Sequence, residues 1–222
     1  MKIAVTAGTP VDTGLGCKII EDHGYEALSF PVAKNPEEQD RLQFLGQSTL
    51  EKKVEEIIDI GKEKDAKALF IYCNSLSTAI DYKKIEKNKN FKIITPLKVY
   101  EEYAKNFKSL GVIGANSQAV HGIEKVMKSQ NLKLNLVTLG ILPLVISIEN
   151  HEEPKEIIEK LDIKNLLKFF ENIKIDGGNI EALVLGCTHF PYIKDELYKI
   201  SKLNILDPAE GMLELLDKIV KW

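Results

Sequence analysis

The sequence predicts an α/β fold built from parallel sheets. Short β-branched runs alternate with longer segments in which apolar residues recur every three or four positions, over the whole of the 222 residues. Strands separated by helices of this length form βαβ units, whose parallel sheets are covered by helices on both faces. The strand candidates are Lys2 to Thr6, Ala27 to Val32, Ala68 to Cys73, Lys92 to Thr95, Leu110 to Gly114, Leu134 to Thr138, Ala182 to Cys187 and Asn204 to Leu206, and the helical patterns include Asp40 to Lys62, Lys155 to Ile173 and Ala209 to Val220.

Two stretches of the chain follow the same plan, which indicates two half-domains. Residues 68–72 and 182–186 are both apolar strand runs that end in a cysteine followed by small polar residues. Between them, residues 111–117 begin another strand and loop of the same kind. We therefore predict two pseudo-symmetric α/β domains, the first formed by residues 1–96 and 208–222 and the second by residues 97–207.

Composition and charge exclude several classes of partner. The formal net charge is −3, with 30 basic and 33 acidic residues interspersed, whereas nucleic-acid binding requires a basic face. Apolar runs such as Leu142 to Ile148 are far shorter than the roughly 20 residues that span a bilayer. Met1 leads directly into the strand run Ile3 to Val5, without the features of a signal peptide. We expect a cytoplasmic protein with no nucleic-acid or membrane partner.

The three cysteines are Cys17, Cys73 and Cys187. A sparse, odd count argues against a disulfide framework, and the absence of a Cys-x-x-Cys pair argues against a metal site. Cys73 and Cys187 each end a strand, where parallel sheets bind ligands and where the dipole of the following helix favours a thiolate. A buried cysteine can also act only as a small hydrophobe, and this is the role we expect for Cys17 inside the helical run Cys17 to Asp22.

Two thiols at matched strand ends suit a two-base inversion. If the strand ends face each other across a cleft, one thiolate can remove a proton from a bound carbon while the other thiol protonates its opposite face. Asn74, Ser75 and Thr188 can bind a carboxylate or cap a helix, and His189 can tune Cys187. No Gly-x-Gly-x-x-Gly run, phosphate-binding loop or pyridoxal-type lysine motif is present, so we expect no cofactor.

At these residues the sequence resembles a known family. The run Leu185-Gly186-Cys187-Thr188-His189-Phe190-Pro191-Tyr192 closely matches the second catalytic loop of the aspartate/glutamate racemase superfamily, and most closely that of glutamate racemase. Tyr72-Cys73-Asn74-Ser75 is similar to the first catalytic loop. Weaker similarity covers Phe30-Pro31, Gly111 to Gly114, Pro143 to Glu149 and Asp207 to Glu210.

The resemblance implies a pyridoxal-independent racemase with its active site between the two domains. Cys73 and Cys187 would be the two bases, and His189 would assist Cys187. By motif, Asp12 in Val11-Asp12-Thr13-Gly14-Leu15-Gly16 would assist Cys73. Counting from the strand end would instead place Thr6 there, and Asp12 could alternatively be a helix N-cap. The residues implied to bind substrate are Thr13, Pro31, Asn74, Ser75, Asn116 and Thr188.

The substrate implied by the resemblance is a small acidic amino acid. Glutamate is the hypothesis, and aspartate, or both acids, is the alternative. The chain has Pro31-Val32-Ala33 where glutamate racemases usually carry Pro-Tyr-Gly, and Ala115-Asn116-Ser117-Gln118 in place of a threonine-rich turn. Other interpretations are an isomerase or racemase for a compound such as a hydantoin or maleate, a single-base isomerase or decarboxylase, and a non-catalytic amino-acid-binding module. A homodimer is also consistent with the resemblance.

Overall fold

The structure is a computed structural model that describes residues 1–34, 46–176 and 178–220. The chain folds as two compact units. The first unit contains Met1–Lys98 and Ala209–Trp222, and the second unit contains Val99–Pro208.

The first unit is a four-stranded parallel sheet flanked by helices. Its strand order is β2-β1-β3-β4, so that β1 and β3 occupy the centre. Its strands are β1 (Lys2–Thr6), β2 (Glu26–Ser29), β3 (Ala66–Ile71) and β4 (Lys92–Ile94), and its helices are α1 (Pro10–Asp22), α2 (Gln47–Glu63), α3 (Asn74–Ala79), α4 (Tyr82–Lys89), α5 (Pro96–Asn106), which runs on into the second unit, and the final helix α11 (Pro208–Val220).

The central strands of this sheet are apolar on both faces because helices cover both faces. Ile3, Ala4 and Val5 of β1 are completely buried, as are residues 68–71 of β3. Helix α2 packs on the sheet through apolar residues at helical spacing, such as Val54 and Ile58. This arrangement leaves the ends of the central strands as the places where functional side chains can reach a ligand.

The second unit repeats this plan. Its parallel sheet has the order β6-β5-β9-β10, and a separate two-stranded antiparallel hairpin joins β7 to β8. The strands are β5 (Ser109–Gly114), β6 (Asn135–Gly140), β7 (Lys174–Ile175), β8 (Gly178–Asn179), β9 (Ala182–Gly186) and β10 (Asn204–Leu206), and the helices are α6 (Ser117–Gln130), α7 (Leu142–Glu149), α8 (Pro154–Lys160), α9 (Ile163–Asn172) and α10 (Lys194–Ile200).

Both four-stranded sheets share one topology. Numbered along the chain within each four-stranded sheet, the strands lie in the order second, first, third, fourth. All neighbours in both sheets are parallel. The predicted α/β class with two parallel sheets is confirmed.

The structure corrects several local predictions. The pattern from Lys155 to Ile173 predicted one helix, but the chain forms α8 and α9, separated by Asp162 in a left-handed conformation with φ of 50°. The second strand ends at Ser29 rather than at Val32. Part of the helix predicted from Asp40 lies outside the described residues, and α2 begins at Gln47. The hairpin β7–β8 was not predicted.

Within the described ranges, we find no helix that combines the length and the apolar character needed to cross a membrane.

Candidate active site

Each thiol lies at the switch point of its own sheet. In both four-stranded sheets the chain leaves the first strand towards one edge and the third strand towards the other edge. Open parallel sheets bind ligands at such a switch point. Cys73 follows the third strand of the first unit, after Tyr72, whose N–H still donates to Thr6 O. Cys187 directly follows the third strand of the second unit. The two cysteines therefore hold equivalent positions in two sheets of the same order.

Cys73 caps the helix that follows it. Its backbone is extended, with φ of −160°, and its Sγ accepts a hydrogen bond from the N–H of Leu76 at 3.5 Å. The side chain is buried, with 8% exposure. An N–H donor at a helix N-terminus stabilises a negative charge, so the local structure favours a thiolate.

A chain of buried hydroxyl groups holds the backbone of Cys73. Ser77 donates from its Oγ to the carbonyl oxygen of Cys73 at 2.7 Å, and the N–H of Ser77 donates to the same oxygen. Thr95, just after β4, donates from its Oγ1 to Ser77 Oγ at 2.7 Å. Both hydroxyl-bearing residues are completely buried. The cysteine loop is therefore fixed from the neighbouring strand as well as from its own helix.

The first turn of α1, which follows β1, carries the predicted acid. Thr9 is the N-cap of α1, and its hydroxyl accepts a hydrogen bond from the N–H of Asp12 at 3.3 Å. The interpretation of Asp12 as an N-cap is therefore wrong, because Asp12 lies in the first turn of α1 instead. Asp12 is buried, and Thr13 is completely buried with its hydroxyl donated to Thr9 O. Asp12 is thus an acidic group held by a rigid helix start.

The side chain of Thr6, the other candidate for the position beside Cys73, forms a hydrogen bond within the first unit. Its hydroxyl donates to Phe30 O at 2.7 Å, which links β1 to the segment after β2. This segment continues the parallel pairing, because the N–H of Val32 donates to Ala7 O and that of Ala33 donates to Gly8 O. Pro31 itself is exposed. Of the two candidates, Asp12 is the one whose side chain can exchange a proton.

Cys187 lies beside an imidazole in the second unit. Its Sγ is 3.6 Å from Nδ1 of His189, and Nε2 of His189 is 3.4 Å from Oε1 of Glu149 at the end of α7. Cys187 and His189 are buried, with 6% and 8% exposure. The imidazole of His189 thus lies between a thiol and a carboxylate. Glu149 was not among the predicted site residues, although it ends the Pro143 to Glu149 stretch that carries part of the resemblance.

A glycine and a turn position the Cys187 loop. A Cβ built on Gly186 would lie 2.8 Å from Ile113 O, so only glycine lets the end of β9 approach β5 this closely. The carbonyl oxygen of Cys187 accepts from the N–H of Phe190, which begins the 3₁₀ turn Phe190–Ile193. Phe190 is completely buried, and Thr188 is half-buried. The turn thus anchors the loop in the core of the second unit.

Asn116 lies in the loop beside that of Cys187. It caps α6, and its Oδ1 accepts from the N–H of Ala119 at 2.9 Å. The strand before it pairs with β9, with Gly114 opposite Gly186. Its side-chain oxygen is therefore engaged in the helix cap.

The structure groups the predicted residues by unit. The predicted residues of the first unit follow the carboxyl ends of β1, β2 and β3. Those of the second unit follow the carboxyl ends of β5 and β9. Ser75 is exposed, whereas Asn74 is buried. The first group contains Asp12, Thr13, Pro31, Cys73, Asn74 and Ser75, and the second contains Asn116, Cys187, Thr188 and His189.

Comparison with known proteins shows similarity in both sequence and fold. No family model matches the chain. A glutamate racemase from Limosilactobacillus reuteri is 30% identical over 172 residues, which is 74% of this chain and 62% of that protein. The match therefore spans less than two thirds of the length of that curated relative.

Two solved structures show the same fold. A glutamate racemase from Francisella tularensis, crystallised in complex with D-glutamate, aligns with a TM-score of 0.71 and 19% identity over 99% of this chain and 80% of its own. An aspartate racemase homologue from Pyrococcus horikoshii aligns with a TM-score of 0.70 and 15% identity over 99% of both chains.

These likenesses confirm the resemblance that the cysteine motifs indicated: the chain is similar to the aspartate/glutamate racemase superfamily. Its sequence is similar to those of glutamate racemases from Limosilactobacillus reuteri and Fusobacterium nucleatum.

Proposed function

We propose that this protein is a cofactor-independent amino-acid racemase that inverts the α-carbon of glutamate with Cys73 and Cys187 as its two bases. The observation that carries the proposal is the equivalent position of the two thiols. Each follows the third strand of a sheet with the same strand order, at the point where parallel sheets bind ligands. A purely structural cysteine has no reason to recur at that point.

The reaction is a proton exchange in which no group is oxidised or reduced. One thiolate takes the α-proton, and the electron pair of the broken C–H bond moves into the carboxylate to give an enediolate. The other thiol then gives its proton to the opposite face of the carbon, which leaves the inverted amino acid and a new thiolate. In the reverse direction the two thiols exchange roles.

The side chains beside the thiols divide the remaining work. We assign to Asn74, Ser75 and Thr188 the donation of hydrogen bonds to the substrate carboxylate, since such donors stabilise the charge that develops in the enediolate. His189 moves a proton to or from Cys187, and Asp12 does the same for Cys73. Thr13, Pro31 and Asn116 complete the proposed binding residues.

Aspartate is the second candidate substrate. Pro31-Val32-Ala33 stands where glutamate racemases usually carry Pro-Tyr-Gly, and two of its backbone N–H groups form hydrogen bonds inside the first unit. Val32 donates to Ala7 O, and Ala33 donates to Gly8 O. These donors are therefore not free to bind a side-chain carboxylate. Together with the change from Pro-Tyr-Gly to Pro31-Val32-Ala33, this observation keeps aspartate, or both acids, as the alternative.

The proposal is tested by following the α-hydrogen. The protein is incubated in deuterium oxide with L-glutamate or L-aspartate, and proton NMR and optical rotation follow exchange and inversion. We expect exchange and loss of rotation with at least one acid. If neither exchange nor loss of rotation occurs with glutamate or with aspartate, the acidic substrate is refuted. Other chiral acids and hydantoins are then screened.

Cysteine variants separate the racemase from its rivals. Cys73→Ser and Cys187→Ser should each abolish inversion, whereas Cys17→Ser should retain it. Cys17 is a good control because it is half-buried in α1 and burial raises the pKa of its thiol, with the hydrogen bond from Ser29 opposing that effect. A non-catalytic binding module would keep its affinity in all three variants, and a single-base enzyme would lose activity in only one of the first two.

We also propose that the enzyme acts in the cytoplasm and, as the resemblance implies, as a homodimer. Light scattering of the purified protein, with and without glutamate, measures the mass in solution. A mass equal to one chain under both conditions would contradict the dimer.

A further inference from the structure

The thiol of Cys73 depends on a contact outside its own loop. The buried hydroxyl chain runs from Thr95 through Ser77 to the carbonyl oxygen of Cys73, with both links 2.7 Å long. Thr95 follows β4, the neighbour of the strand that carries Cys73. The hydroxyl chain therefore joins the ends of two neighbouring strands through side chains.

The direction of each hydrogen bond is fixed by the acceptors. A carbonyl oxygen can only accept, so Ser77 Oγ must use its one proton on Cys73. Ser77 Oγ then accepts a hydrogen bond from the hydroxyl of Thr95. Thr95 Oγ1 in turn accepts a hydrogen bond from the N–H of Leu97 at the start of α5. Because both hydroxyl groups are completely buried, no water can replace a lost partner without a change in packing.

We propose that Ser77 and Thr95 are positioning residues for Cys73, which set the place of its sulfur without contacting substrate. This inference rests on the proposed racemase function. The carbonyl held by Ser77 belongs to the N-cap residue itself, so a shift of this carbonyl rotates the same residue that carries the thiol. The thiol would then leave the N–H of Leu76, which lies 3.5 Å from it.

Cys187 has no equivalent chain among the described contacts. Its carbonyl accepts only a backbone N–H, that of Phe190, and its sulfur is supported by His189 instead. A change at Thr95 should therefore affect one of the two thiols and spare the other. This asymmetry separates positioning of Cys73 from a general loss of stability.

The test compares Thr95→Val with Thr95→Ser. Valine keeps the shape of threonine and removes the hydroxyl, whereas serine keeps the hydroxyl and removes the methyl group. We expect kcat to fall about 10- to 100-fold in Thr95→Val, with little change in KM, and to recover in Thr95→Ser. Ser77→Ala should behave as Thr95→Val does. Thr78 lies in the same helix as Ser77, and its hydroxyl donates to Ser75 O. Thr78→Val should therefore retain wild-type kcat.

A second measurement is independent of activity. The folded protein is treated with iodoacetamide, and peptide mass spectrometry compares the alkylation rates of Cys73 and Cys187 in one sample. In Thr95→Val we expect faster alkylation of Cys73, because a released loop exposes a buried thiol, with Cys187 unchanged. If Thr95→Val only lowers the thermal midpoint and leaves both kcat and this ratio as in Thr95→Ser, the proposal is wrong.

The two proposals fail in different ways. If the wild-type protein racemises no acid but Thr95→Val still raises the alkylation of Cys73, the positioning role stands and the proposed function fails. If the wild-type protein racemises glutamate and Thr95→Val matches it in kcat and alkylation, the function stands and the positioning role fails.

Discussion

Nδ1 of His189 lies 3.6 Å from Sγ of Cys187, two residues earlier in the same loop. The other ring nitrogen lies 3.4 Å from the carboxylate of Glu149. A thiol with an imidazole beside it, and a carboxylate within ion-pair distance of that imidazole, is a grouping found around activated nucleophiles. In the proposed reaction this grouping serves the thiol of the second unit.

Replacement of His189 by asparagine should slow racemisation strongly. Asparagine keeps a hydrogen-bonding group near the sulfur but cannot take up a proton, so we expect kcat to fall about 100-fold, the usual contribution of a general acid or base. Initial rates with L- and D-glutamate measure the change. His121→Asn is the control, because His121 lies on the exposed surface of α6. A variant His189→Asn with wild-type kcat would show that the imidazole takes no part.

Replacement of Glu149 by glutamine should have a smaller effect of the same kind. Glutamine keeps the size of glutamate but supplies no charge, and Glu149 is 45% exposed, so solvent screens the lost interaction. We expect kcat to fall about tenfold or less, as is common for partners behind a directly acting group. Alkylation of Cys187 by iodoacetamide should change in parallel, and alkylation of Cys73 should not. Equal changes at both thiols would point to a loss of structure instead.

The sequence predicted the central features of the fold because they depend on local patterns. The bounds of β1 and β10 agree with the predicted strands, and Cys73 and Cys187 follow strands as expected. Apolar runs that end in polar residues are visible without tertiary contacts. The start of α1 also left a signal, since Thr9 followed by Pro10 is a typical N-cap and first helical residue, but Gly14 and Gly16 obscured the helix.

What was missed depends on single backbone angles or on distant contacts. The break at Asp162 occurs without glycine or proline, and the apolar positions on both sides continue a helical spacing. Glu149 meets His189 across forty residues of sequence, and Thr95 meets Ser77 across eighteen. No spacing rule connects residues that come together only when neighbouring strands pair. The predicted site therefore contained the loop residues and lacked the side chains that support them.

Gly140 should tolerate no larger residue. A Cβ at this position would lie 2.4 Å from the carbonyl carbon of Asn116 and 2.6 Å from the nitrogen of Ser117, both of them backbone atoms. We expect Gly140→Ala to lower the free energy of unfolding by about 1–3 kcal/mol, the usual effect of overpacking, because the start of α6 must move. Urea unfolding followed by circular dichroism measures this change.

Gly14 provides the matched control for that experiment. It lies within α1, and a Cβ built on it has no neighbour within 4 Å. Gly14→Ala should therefore raise the free energy of unfolding by about 0.5–1 kcal/mol, since alanine is the better helix former. If both glycine variants are stabilised alike, the close approach of β6 to the α6 cap is not present in solution.

The stability of the first unit should depend on the charge of Glu51. This buried carboxylate accepts hydrogen bonds from Gln47 Nε2 and from the N–H of Asp81, and Lys84 Nζ lies 3.6 Å away. The hydrogen bond from Gln47, then that from Asp81, then the charge of Lys84 lower the pKa of Glu51 below its ordinary value, against the opposing effect of burial. The folded state thus binds the proton more weakly than the unfolded state does.

The sign of the pH dependence follows from that direction. A lowered pKa stabilises the folded protein fully above the ordinary carboxyl pKa, and the stabilisation is lost as the pH falls through the lower, folded value. We expect Glu51→Gln to reduce the free energy of unfolding by about 1 kcal/mol at neutral pH and to approach the wild type in acid. Urea unfolding across this pH range measures the difference, and Glu56→Gln, an exposed position on the same helix, is the control. A constant difference between Glu51→Gln and the wild type at every pH would mean that the neutral hydrogen bonds, and not the charge, hold α4 to α2.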